Sequence, residues 1–402
     1  MIRKGEYDVV VVGAGPGGLM TALKAASGGL DVLLVERKVE IGVPCKCGEF
    51  LPALDEMHRL SPDVDDLEGL FDPPVNVIVN RTKHIRFVFG NMKEITIPFE
   101  GVVIERKEFE KQLASEAAKA GAEIAPGTVV REVKPDLMTV SGRDPDGPFE
   151  VKTKTIVGAD GTASLVAERF GLAPKADPMD YAVGYHYEMA NVDHDPEYVD
   201  MFYGEDIAPG TYAWVIPKGK GMANIGTGVR TPYMKAGLTV RDYQRQFLAS
   251  PQVAVKVRKA TVLAVKAGYI PVGGPLARTQ AGGALLVGDS AGQTIPTVGG
   301  GIPTALICGR IAGEVLTEHL RGGSSLSEYQ TRWDTQLGTP LRNSLRLRRM
   351  GDAVFKNKRL LRAAIRTGML NEDLIRKFVL CQIDARISLI EKTLPLFVKT
   401  NG

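Results

Sequence analysis

The sequence predicts an α/β fold, in which a parallel sheet covered by helices is interrupted by a second, antiparallel sheet. A β-branched run over residues 8–12 leads directly into a glycine-rich turn and a helical pattern, as a buried parallel strand and its crossover helix require. A second apolar strand over residues 32–35 follows that helix. Between residues 177 and 268 the pattern changes to short alternating segments, which are typical of antiparallel strands.

The turn has the spacing Gly13-x-Gly15-x-x-Gly18, which predicts a dinucleotide site. Gly13 permits the tight turn, Gly15 lets the backbone approach a pyrophosphate, and Gly18 lets the helix pack on the strand. The helix then offers free N–H groups to the phosphates. Glu36, at the end of the second strand, can accept hydrogen bonds from a ribose. A glycine triplet alone also suits an ordinary βα turn, but the strands, helix and acid together favour the dinucleotide site.

Composition limits the class of protein. With 402 residues, 44% of them hydrophobic, the chain can bury a large core in two packed lobes, and a net charge of +3 does not indicate nucleic-acid binding. The four cysteines form no disulfide framework and the five histidines are scattered, so we expect a reducing compartment and no metal site. Neither a signal peptide nor an apolar run of membrane-spanning length is visible, so a cytoplasmic location is expected.

We expect four segments along the chain. Residues 1–176 form the first part of the cofactor-binding domain, including short strands between residues 73 and 104. Residues 177–275 form the inserted sheet, which faces the cofactor and binds the substrate. Residues 276–324 return to the first domain, and residues 325–402 form a C-terminal helical region.

Two aspartates, Asp160 and Asp289, follow apolar strands beside glycines. An aspartate at the carboxyl end of such a strand can reach the hydroxyls of a sugar or a ribityl chain. Either residue alone is also explained by a turn, where aspartate and glycine are common for backbone reasons. For Asp160 a structural turn and a direct contact both remain open. Combined with the glycine turn, the pair forms a pattern that a fold binding only a nicotinamide dinucleotide does not require.

This arrangement resembles the FAD-binding fold of the glutathione-reductase and p-hydroxybenzoate-hydroxylase type, in which the second aspartate holds the ribityl chain of the flavin. Within that group the sequence most resembles the geranylgeranyl reductases, especially the archaeal enzymes that saturate geranylgeranyl ether lipids. The motifs that carry the resemblance are Cys47-Gly48-Glu49, Arg106 before a helix, Tyr212-Ala-Trp214-Val-Ile216-Pro217 with Gly226-Thr-Gly228, and Gly299-Gly-Gly301-Ile302.

The resemblance implies an FAD-dependent oxidoreductase with a Rossmann-like domain of the glutathione-reductase type. The FAD contacts that it implies are Gly15, Gly17, Glu36, Cys47, Gly48, Phe50, Arg106, Val130, Asp289, Gly301 and Ile302. Arg106 would neutralise the pyrophosphate or a ribityl oxygen through its directional fork. The helix start at Gly301 and Ile302 would favour negative charge on the reduced flavin, and Val130 would offer its backbone to the adenine.

Two residues depart from the family pattern. Ile216 stands where the family has phenylalanine, and Phe50 stands where a glycine is expected after Cys-Gly-Glu. The first change keeps an apolar wall in place. The second puts a bulky side chain beside the expected cofactor loop, which bears on the prenyl substrate that fits but not on flavin binding.

The substrate implied by the resemblance is a polyprenyl lipid. Tyr212 and Trp214 share one face of a predicted strand, and their place in the family signature favours the lining of an apolar tunnel over an ordinary core position. Hydrogenation of an isolated alkene needs a hydride from the flavin and a proton, for which Cys47, Glu49 and water are candidate donors. A simpler interpretation of Cys47 is a small thiol packed against the flavin.

The electron donor is expected to be reduced ferredoxin or NAD(P)H, since no second Gly-x-Gly-x-x-Gly motif is present. Residues 342–377 are strongly basic. This pattern predicts either a solvated helical face or a surface that rests on anionic headgroups at the inner face of the cell membrane. Neither interpretation involves nucleic acid.

Three other classes of protein use a related fold. A flavin-dependent monooxygenase or halogenase shares the cofactor motifs but not the Tyr-x-Trp signature. An electron-transfer flavoprotein dehydrogenase needs a cluster-binding set of cysteines, which this sequence lacks. A prenyl-binding escort protein is not an enzyme and needs no flavin, so the intact glycine turn, Glu36 and Asp289 argue against it.

Overall fold

The computed structural model describes residues 2–70, 73–175, 177–355 and 358–399. Its strands are β1 Glu6–Val12, β2 Val32–Glu36, β3 Phe50–Pro52, β4 Ile78–Phe89, β5 Lys93–Ile104, β6 Glu123–Pro126, β7 Val129–Lys134, β8 Thr139–Asp144, β9 Gly147–Gly158, β10 Tyr181–Ala190, β11 Tyr198–Phe202, β12 Ala213–Gly219, β13 Met222–Val229, β14 Thr261–Pro271, β15 Gln280–Ala281 and β16 Ala284–Leu286.

The α-helices are α1 Pro16–Ser27, α2 Leu54–Leu60, α3 Leu67–Leu70, α4 Arg106–Lys119, α5 Leu165–Arg169, α6 Val240–Leu248, α7 Pro251–Val257, α8 Ile302–Gly322, α9 Glu328–Trp333, α10 Thr339–Phe355, α11 Lys358–Arg366, α12 Glu372–Val379 and α13 Ala385–Lys399. A five-residue π-helical segment, Asp334–Gly338, joins α9 to α10. Residues 356 and 357 of the basic region lie outside the described ranges. None of the described helices combines the length and low polarity that crossing a membrane requires.

The first sheet contains the predicted parallel strands. Its path runs β15-β16-β9-β1-β2-β6, and the β7–β8 hairpin attaches to β9. β1 pairs in parallel with both β2 and β9. Val9 and Val11 belong to the core beneath α1 and α8, whereas Val10 and Val12 pack with residues of the hairpin and α5. Both faces of β1 are therefore covered, which explains the uninterrupted valine run.

Small residues hold α1 against its neighbours. A Cβ at Gly18 would lie 2.0 Å from the carbonyl oxygen of Gly13, at the end of β1. On the opposite helix, a Cβ at Gly309 would lie 2.5 Å from the carbonyl oxygen of Gly17. These backbones approach more closely than a side chain allows, so α1 is fixed at both β1 and α8.

The second sheet has the order β14-β10-β13-β12-β11-β4-β5-β3. It is antiparallel except for the parallel pair of β4 and β11. The expected segment 177–275 supplies β10 to β14, and the preceding part of the chain supplies β3, β4 and β5. The sheet is thus larger than the inserted segment, because strands within 50–104 find their partners across the domain rather than in the first sheet.

The C-terminal helices cover one end of the second sheet. Phe355 in α10 lies 5.9 Å from the ring of Phe89 in β4 and 5.0 Å from that of Tyr203, which follows β11. Arg376 in α12 donates a hydrogen bond to the carbonyl oxygen of Pro98 in β5. The predicted helical region therefore packs on the sheet that is expected to bind substrate.

We expect Gly309→Ala to lower the free energy of unfolding by about 1–3 kcal/mol, because its methyl group would collide with the backbone of α1. The matched control is Gly322→Ala in the same helix, where a Cβ meets nothing within 4 Å. That variant should be neutral or gain up to about 1 kcal/mol from helix propensity. Urea unfolding of both variants measures the difference, and equal effects would contradict the assigned packing.

Candidate cofactor and substrate site

The glycine turn after β1 leaves space for a ligand. Gly13 has φ of +104°, a conformation that favours glycine. A Cβ at Gly15 meets nothing within 4 Å, so the space above the start of α1 is open. Glu36 is buried and accepts hydrogen bonds from the backbone N–H groups of Ala14 and Lys38, both at 2.9 Å. Its oxygens retain lone pairs for ribose hydroxyls, so the turn and the acid fit a dinucleotide.

Gly17 and Asp160 both have structural roles. A Cβ at Gly17 would lie 2.7 Å from Cγ1 of Val287, so this glycine is required for packing. Asp160 accepts the N–H of Leu165, the first residue of α5, through Oδ2 at 2.8 Å. Its buried Oδ1 has no hydrogen-bond partner among the described residues, and burial raises the pKa of this carboxyl. The turn interpretation is thus seen directly, and one oxygen remains available to a ligand.

Val130 is held close to Glu36, the residue that is expected to contact a ribose. Thr128 donates its N–H to the carbonyl oxygen of Glu36, and Gly127 donates to that of Lys38, both at 2.8 Å. The side chain of Val130 packs against the core of the β7–β8 hairpin. The backbone of β7 is therefore placed beside the end of β2, where the adenine end of a dinucleotide would extend.

Asp289 follows β16, whose carboxyl end lies at the same edge of the sheet as those of β9 and β1, and Gly301 adjoins it. Oδ1 of Asp289 accepts a hydrogen bond from the hydroxyl of Thr294 at 2.8 Å, and burial raises the pKa of this aspartate. A Cβ at Gly301 would lie 3.3 Å from that same oxygen. Gly301 precedes Ile302, the first residue of the 21-residue helix α8. The amide-rich start of a long helix therefore adjoins Asp289.

The loop that contains Cys47 reaches this region from the second sheet. Arg106, at the start of α4, lies within electrostatic range of both Cys47 and Asp289. Burial opposes the charge of Arg106, but Glu110, which accepts a hydrogen bond from its Nε at 2.6 Å, keeps its pKa well above the ordinary value. The sulfur of Cys47 accepts the N–H of Glu49 at 3.2 Å. Residues predicted from separate segments are thus brought together.

The two departures from the family pattern have clear positions. Phe50 begins β3, and its ring packs on Gly101 of β5. A Cβ at Gly101 would lie only 2.2 Å from Cε2 of Phe50. Its ring lies 6.2 Å from that of Phe99. Ile216 packs on the cysteine loop, where a Cβ at Gly48 would lie 2.7 Å from Cδ1 of Ile216. Phe50 therefore contacts the second sheet, and Ile216 contacts the loop that carries Gly48.

A buried charge network beneath this loop was not predicted from the sequence. Glu49 is 1% exposed and has φ of +65°. Its Oε2 accepts hydrogen bonds from Lys218 at 3.0 Å, Lys266 at 3.3 Å and Asn224 at 2.9 Å. Burial alone would raise the pKa of Glu49, but the two lysines and the amide lower it to about 2. The loop is therefore anchored to β12, β13 and β14 by an ionised carboxylate.

One sequence signal pointed to this network. Lys218 directly follows Pro217 of the Tyr-x-Trp signature and stands in a strand that is otherwise buried. A lysine at such a position requires a paired carboxylate. His186 adjoins the network, with its ring 5.7 Å from that of Trp214. Burial, reinforced by Lys266, lowers the pKa of His186 to about 4, so this ring is neutral at pH 7.

A cavity of about 290 Å³ lies between the second sheet and α10. Its aromatic lining consists of Tyr203, Tyr212, Trp214, Tyr233, Phe355 and Phe378, and Gly299 of the glycine loop is also part of the wall. The hydroxyl of Tyr212 donates to the carbonyl oxygen of Val298 at 2.5 Å, which joins the signature strand to that loop. The cavity therefore adjoins the segment that leads to Gly301.

The two glycines of the family signature leave space for side chains beside the cavity. A Cβ at Gly226 would lie 2.5 Å from Cζ2 of Trp214, and one at Gly228 would lie 2.5 Å from Oγ1 of Thr211. Gly226 thus provides the space in which the indole of Trp214 packs on β13. Among the described residues, no group of three or more His, Cys, Asp and Glu side chains is arranged to hold a metal ion.

The comparisons with known proteins agree with this geometry. Residues 8–169 match the family model described as FAD dependent oxidoreductase, and residues 180–270 match the one described as geranylgeranyl reductase catalytic domain. The open space above Gly15 and the unpartnered oxygen of Asp160 fit the cofactor that the first match names. Fold and site together define an FAD-dependent oxidoreductase.

Curated relatives identify the family. Digeranylgeranylglycerophospholipid reductase 2 of Methanopyrus kandleri is 36% identical over 348 residues, which cover 85% of each chain. The digeranylgeranylglycerophospholipid reductase of Methanocaldococcus jannaschii is 36% identical over 358 residues, which cover 86% of each chain. The chain therefore belongs to the digeranylgeranylglycerophospholipid reductase family, and the resemblance seen in the sequence is confirmed.

Solved structures show the same architecture. A geranylgeranyl bacteriochlorophyll reductase-like protein from Thermoplasma acidophilum is 27% identical, with a TM-score of 0.74 and 98% of each chain covered. The flavin-dependent brominase Bmp2 has a TM-score of 0.73 at 17% identity, with 99% of this chain and 100% of the other covered. At that identity the likeness to the brominase shows the fold alone.

We expect Gly15→Ala to fold normally but to weaken FAD binding at least about tenfold, because its methyl group would occupy the open space that a pyrophosphate approaches. Titration of FAD into the FAD-free protein, together with urea unfolding, measures both effects. Gly5→Ala is the matched control, since a Cβ there also meets nothing within 4 Å. Equal FAD affinity in the two variants would contradict the proposed phosphate position.

We expect Glu49→Gln to destabilise the protein by about 1–3 kcal/mol, because it removes the buried carboxylate that Lys218 and Lys266 share. Glu188 still pairs with both lysines, and Glu105 with Lys218, so their charges stay partly compensated. In the wild type, the pKa of Glu49 falls from 4.5 to about 2 on folding. Its contribution is therefore complete above about pH 4.5 and is lost as the pH falls towards 2.

Urea unfolding at several pH values tests this assignment. The matched control is Glu40→Gln, which removes an exposed ion pair with Lys111 and should cost less than about 1 kcal/mol. An E49Q variant that loses no more stability than E40Q, or that keeps the wild-type pH dependence below pH 4.5, would refute the role of Glu49.

Proposed function

We propose that this chain hydrogenates carbon–carbon double bonds in the geranylgeranyl chains of an ether lipid, with FAD as its cofactor. The observation that carries the proposal is the aromatic cavity, which adjoins the glycine loop and the signature strand. An isoprenoid chain offers almost no hydrogen-bonding groups, so its binding must come from buried apolar area, at about 25 cal/mol per Å². Reduced FAD, when bound, supplies the hydride of such a reaction.

The parts of the chain have separate proposed roles. Residues 1–176 and 276–324 hold the cofactor, and residues 177–275 bind the lipid together with the strands that residues 50–104 add to the same sheet. Residues 325–402 close the cavity, since α10 contributes Arg348, Asp352 and Phe355 to its wall. The proposed cofactor contacts are those named from the resemblance.

Cys47 is the proposed proton donor. It lies within electrostatic range of Arg106 and of Tyr212, which lines the cavity. Glu49 is a poor alternative, because a carboxyl with its pKa near 2 carries no proton at neutral pH. The neutral ring of His186 also lacks a proton to give as an acid at pH 7. Of the two side chains that the sequence suggests as donors, Cys47 and Glu49, the thiol is therefore the one proposed.

Mass spectrometry under anaerobic conditions tests the proposed reaction. The flavin of the holoenzyme is reduced chemically, and a geranylgeranyl lipid is added. Each reduced double bond should appear as a gain of two hydrogens, which corresponds to one hydride and one proton. The absence of any mass shift with several geranylgeranyl substrates would rule out the proposed activity.

We expect Cys47→Ser to slow reduction of the lipid at least about 100-fold while lipid affinity is retained, since a positioned acid contributes 10²–10⁴-fold. Cys45→Ser is the matched control, because Cys45 lies in the same loop and burial raises the pKa of its thiol. Single-turnover rates with pre-reduced flavin separate this step from electron delivery. A C47S rate within about threefold of the C45S rate would assign the proton to water instead.

The electron donor proposed is reduced ferredoxin or NAD(P)H. Anaerobic mixing of the oxidised holoenzyme with each donor, followed by flavin absorbance, distinguishes the two.

We also propose that the protein rests on the inner face of the cell membrane. Arg362 and Arg366 are exposed on α11, whereas Leu361 is buried beneath them. Cosedimentation with anionic vesicles should weaken in R362E/R366E, and unchanged binding would contradict this contact.

A further inference from the structure

The wall of the aromatic cavity contains two buried arginines. Arg230, which follows β13, is fully buried, and Arg348 in α10 is 8% exposed. Arg230 donates to the carbonyl oxygen of Gly210 at 2.8 Å, pairs with Asp352 and lies 4.7 Å from the ring of Tyr233. Its charge and its donors are thus largely occupied. A guanidinium in a lipid cavity needs such partners because the burial of a free charge is costly.

Arg348 has fewer partners than Arg230. Its Nη1 donates to the carbonyl oxygen of Met179 at 2.8 Å. Its nearest carboxylate oxygen, on Asp180, lies 3.6 Å away, which is too long for a hydrogen bond. The Nε–H of Arg348 is buried and has no hydrogen-bond partner among the described residues. Arg348 thus brings a buried donor and incompletely balanced charge to the cavity wall.

The polarity of the cavity changes along α10. Arg348, Asp352 and Phe355 recur at a spacing that places them on one face of the helix, and all three line the cavity. From Arg348 to Phe355 the helix rises by about 10 Å. Phe355 packs on Tyr203, with the ring centres 5.0 Å apart, so the wall is apolar at this end of the helix. One helix therefore presents a cationic end and an apolar end to the same space.

We propose that Arg348, supported by Arg230, binds the phosphate of the lipid headgroup while the prenyl chain lies along the aromatic wall. This inference rests on the proposed function and adds the position and charge of the headgroup. A guanidinium offers a planar fork that matches phosphate oxygens, and such charge-assisted bonds strengthen where water is excluded. The arginine pair selects phosphorylated prenyl lipids over the corresponding alcohols.

Calorimetric titration of the FAD-loaded protein tests this proposal with two ligands, geranylgeranyl phosphate and geranylgeraniol in the same detergent. The wild type should bind the phosphate at least about tenfold more tightly than the alcohol. Arg348→Gln should remove most of that difference and change the affinity for the alcohol less than about twofold. The matched control is Arg349→Gln, which removes an exposed arginine from the next position of α10 and should retain the wild-type ratio.

Inorganic phosphate distinguishes the lipid headgroup from a free anion. Phosphate that binds the wild type but not R348Q, and that geranylgeranyl phosphate displaces, supports a headgroup site. Phosphate that remains bound together with the lipid overturns it. Equal loss of affinity for both lipids in R348Q, or no loss for either, also overturns the proposal.

Two measurements keep the test decisive if R348Q does not fold. The wild-type ratio of the two affinities needs no variant, and a ratio near one refutes the proposal. Arg348→Lys keeps the charge but not the fork, so it should retain part of the preference for phosphate. Reduction of geranylgeraniol by the wild type, followed by mass, tests the proposed function separately. If the wild type reduces geranylgeraniol but shows no preference for the phosphate, the headgroup site is refuted and the proposed function stands.

Discussion

The carboxylate of Glu49 is the interaction on which the arrangement of the site depends. It receives the ammonium groups of Lys218 and Lys266 and the amide of Asn224, and its other oxygen accepts the backbone N–H of Arg106 at 3.2 Å. Three strands of the second sheet and the start of α4 are thereby tied to one loop. That loop carries Cys47 and Gly48. An unpaired charge at this depth would be costly, so the residues that satisfy Glu49 also fix the loop between cofactor domain and substrate sheet.

The substrate side depends on packing rather than on charge. Trp214 packs on the second sheet because Gly226 leaves space for its indole, and Tyr212 is joined to the glycine loop through Val298. α10 closes the opposite wall through Phe355. An apolar chain would thus lie between the second sheet, which is anchored to the flavin domain, and α10, which is not part of that domain. In the proposed function, cofactor and lipid are therefore bound by separate sets of residues.

The halogenases share the architecture, which shows how little the fold alone says about the reaction. The features that carry the proposed reaction are local: an aromatic wall, a buried lysine–carboxylate network and two arginines in one cavity. These features lie in the second sheet and the C-terminal helices. The glycine turn, Glu36 and Asp289 are the proposed flavin contacts, whereas the aromatic cavity is the proposed site of the lipid.

The sequence by itself determined the cofactor half of this protein. The glycine spacing, the strand before it and the interval to Glu36 are consecutive along the chain, so local geometry alone predicts a phosphate-binding turn. Only the tertiary structure decided the rest. Glu49 lies 169 residues from Lys218 and 217 from Lys266, and strands from 50–104 joined a sheet expected from 177–275 alone. Arg230 and Arg348 likewise meet only where α10 packs on the sheet. Such contacts depend on how whole sheets and helices pack, and no short-range pattern of side chains encodes that packing.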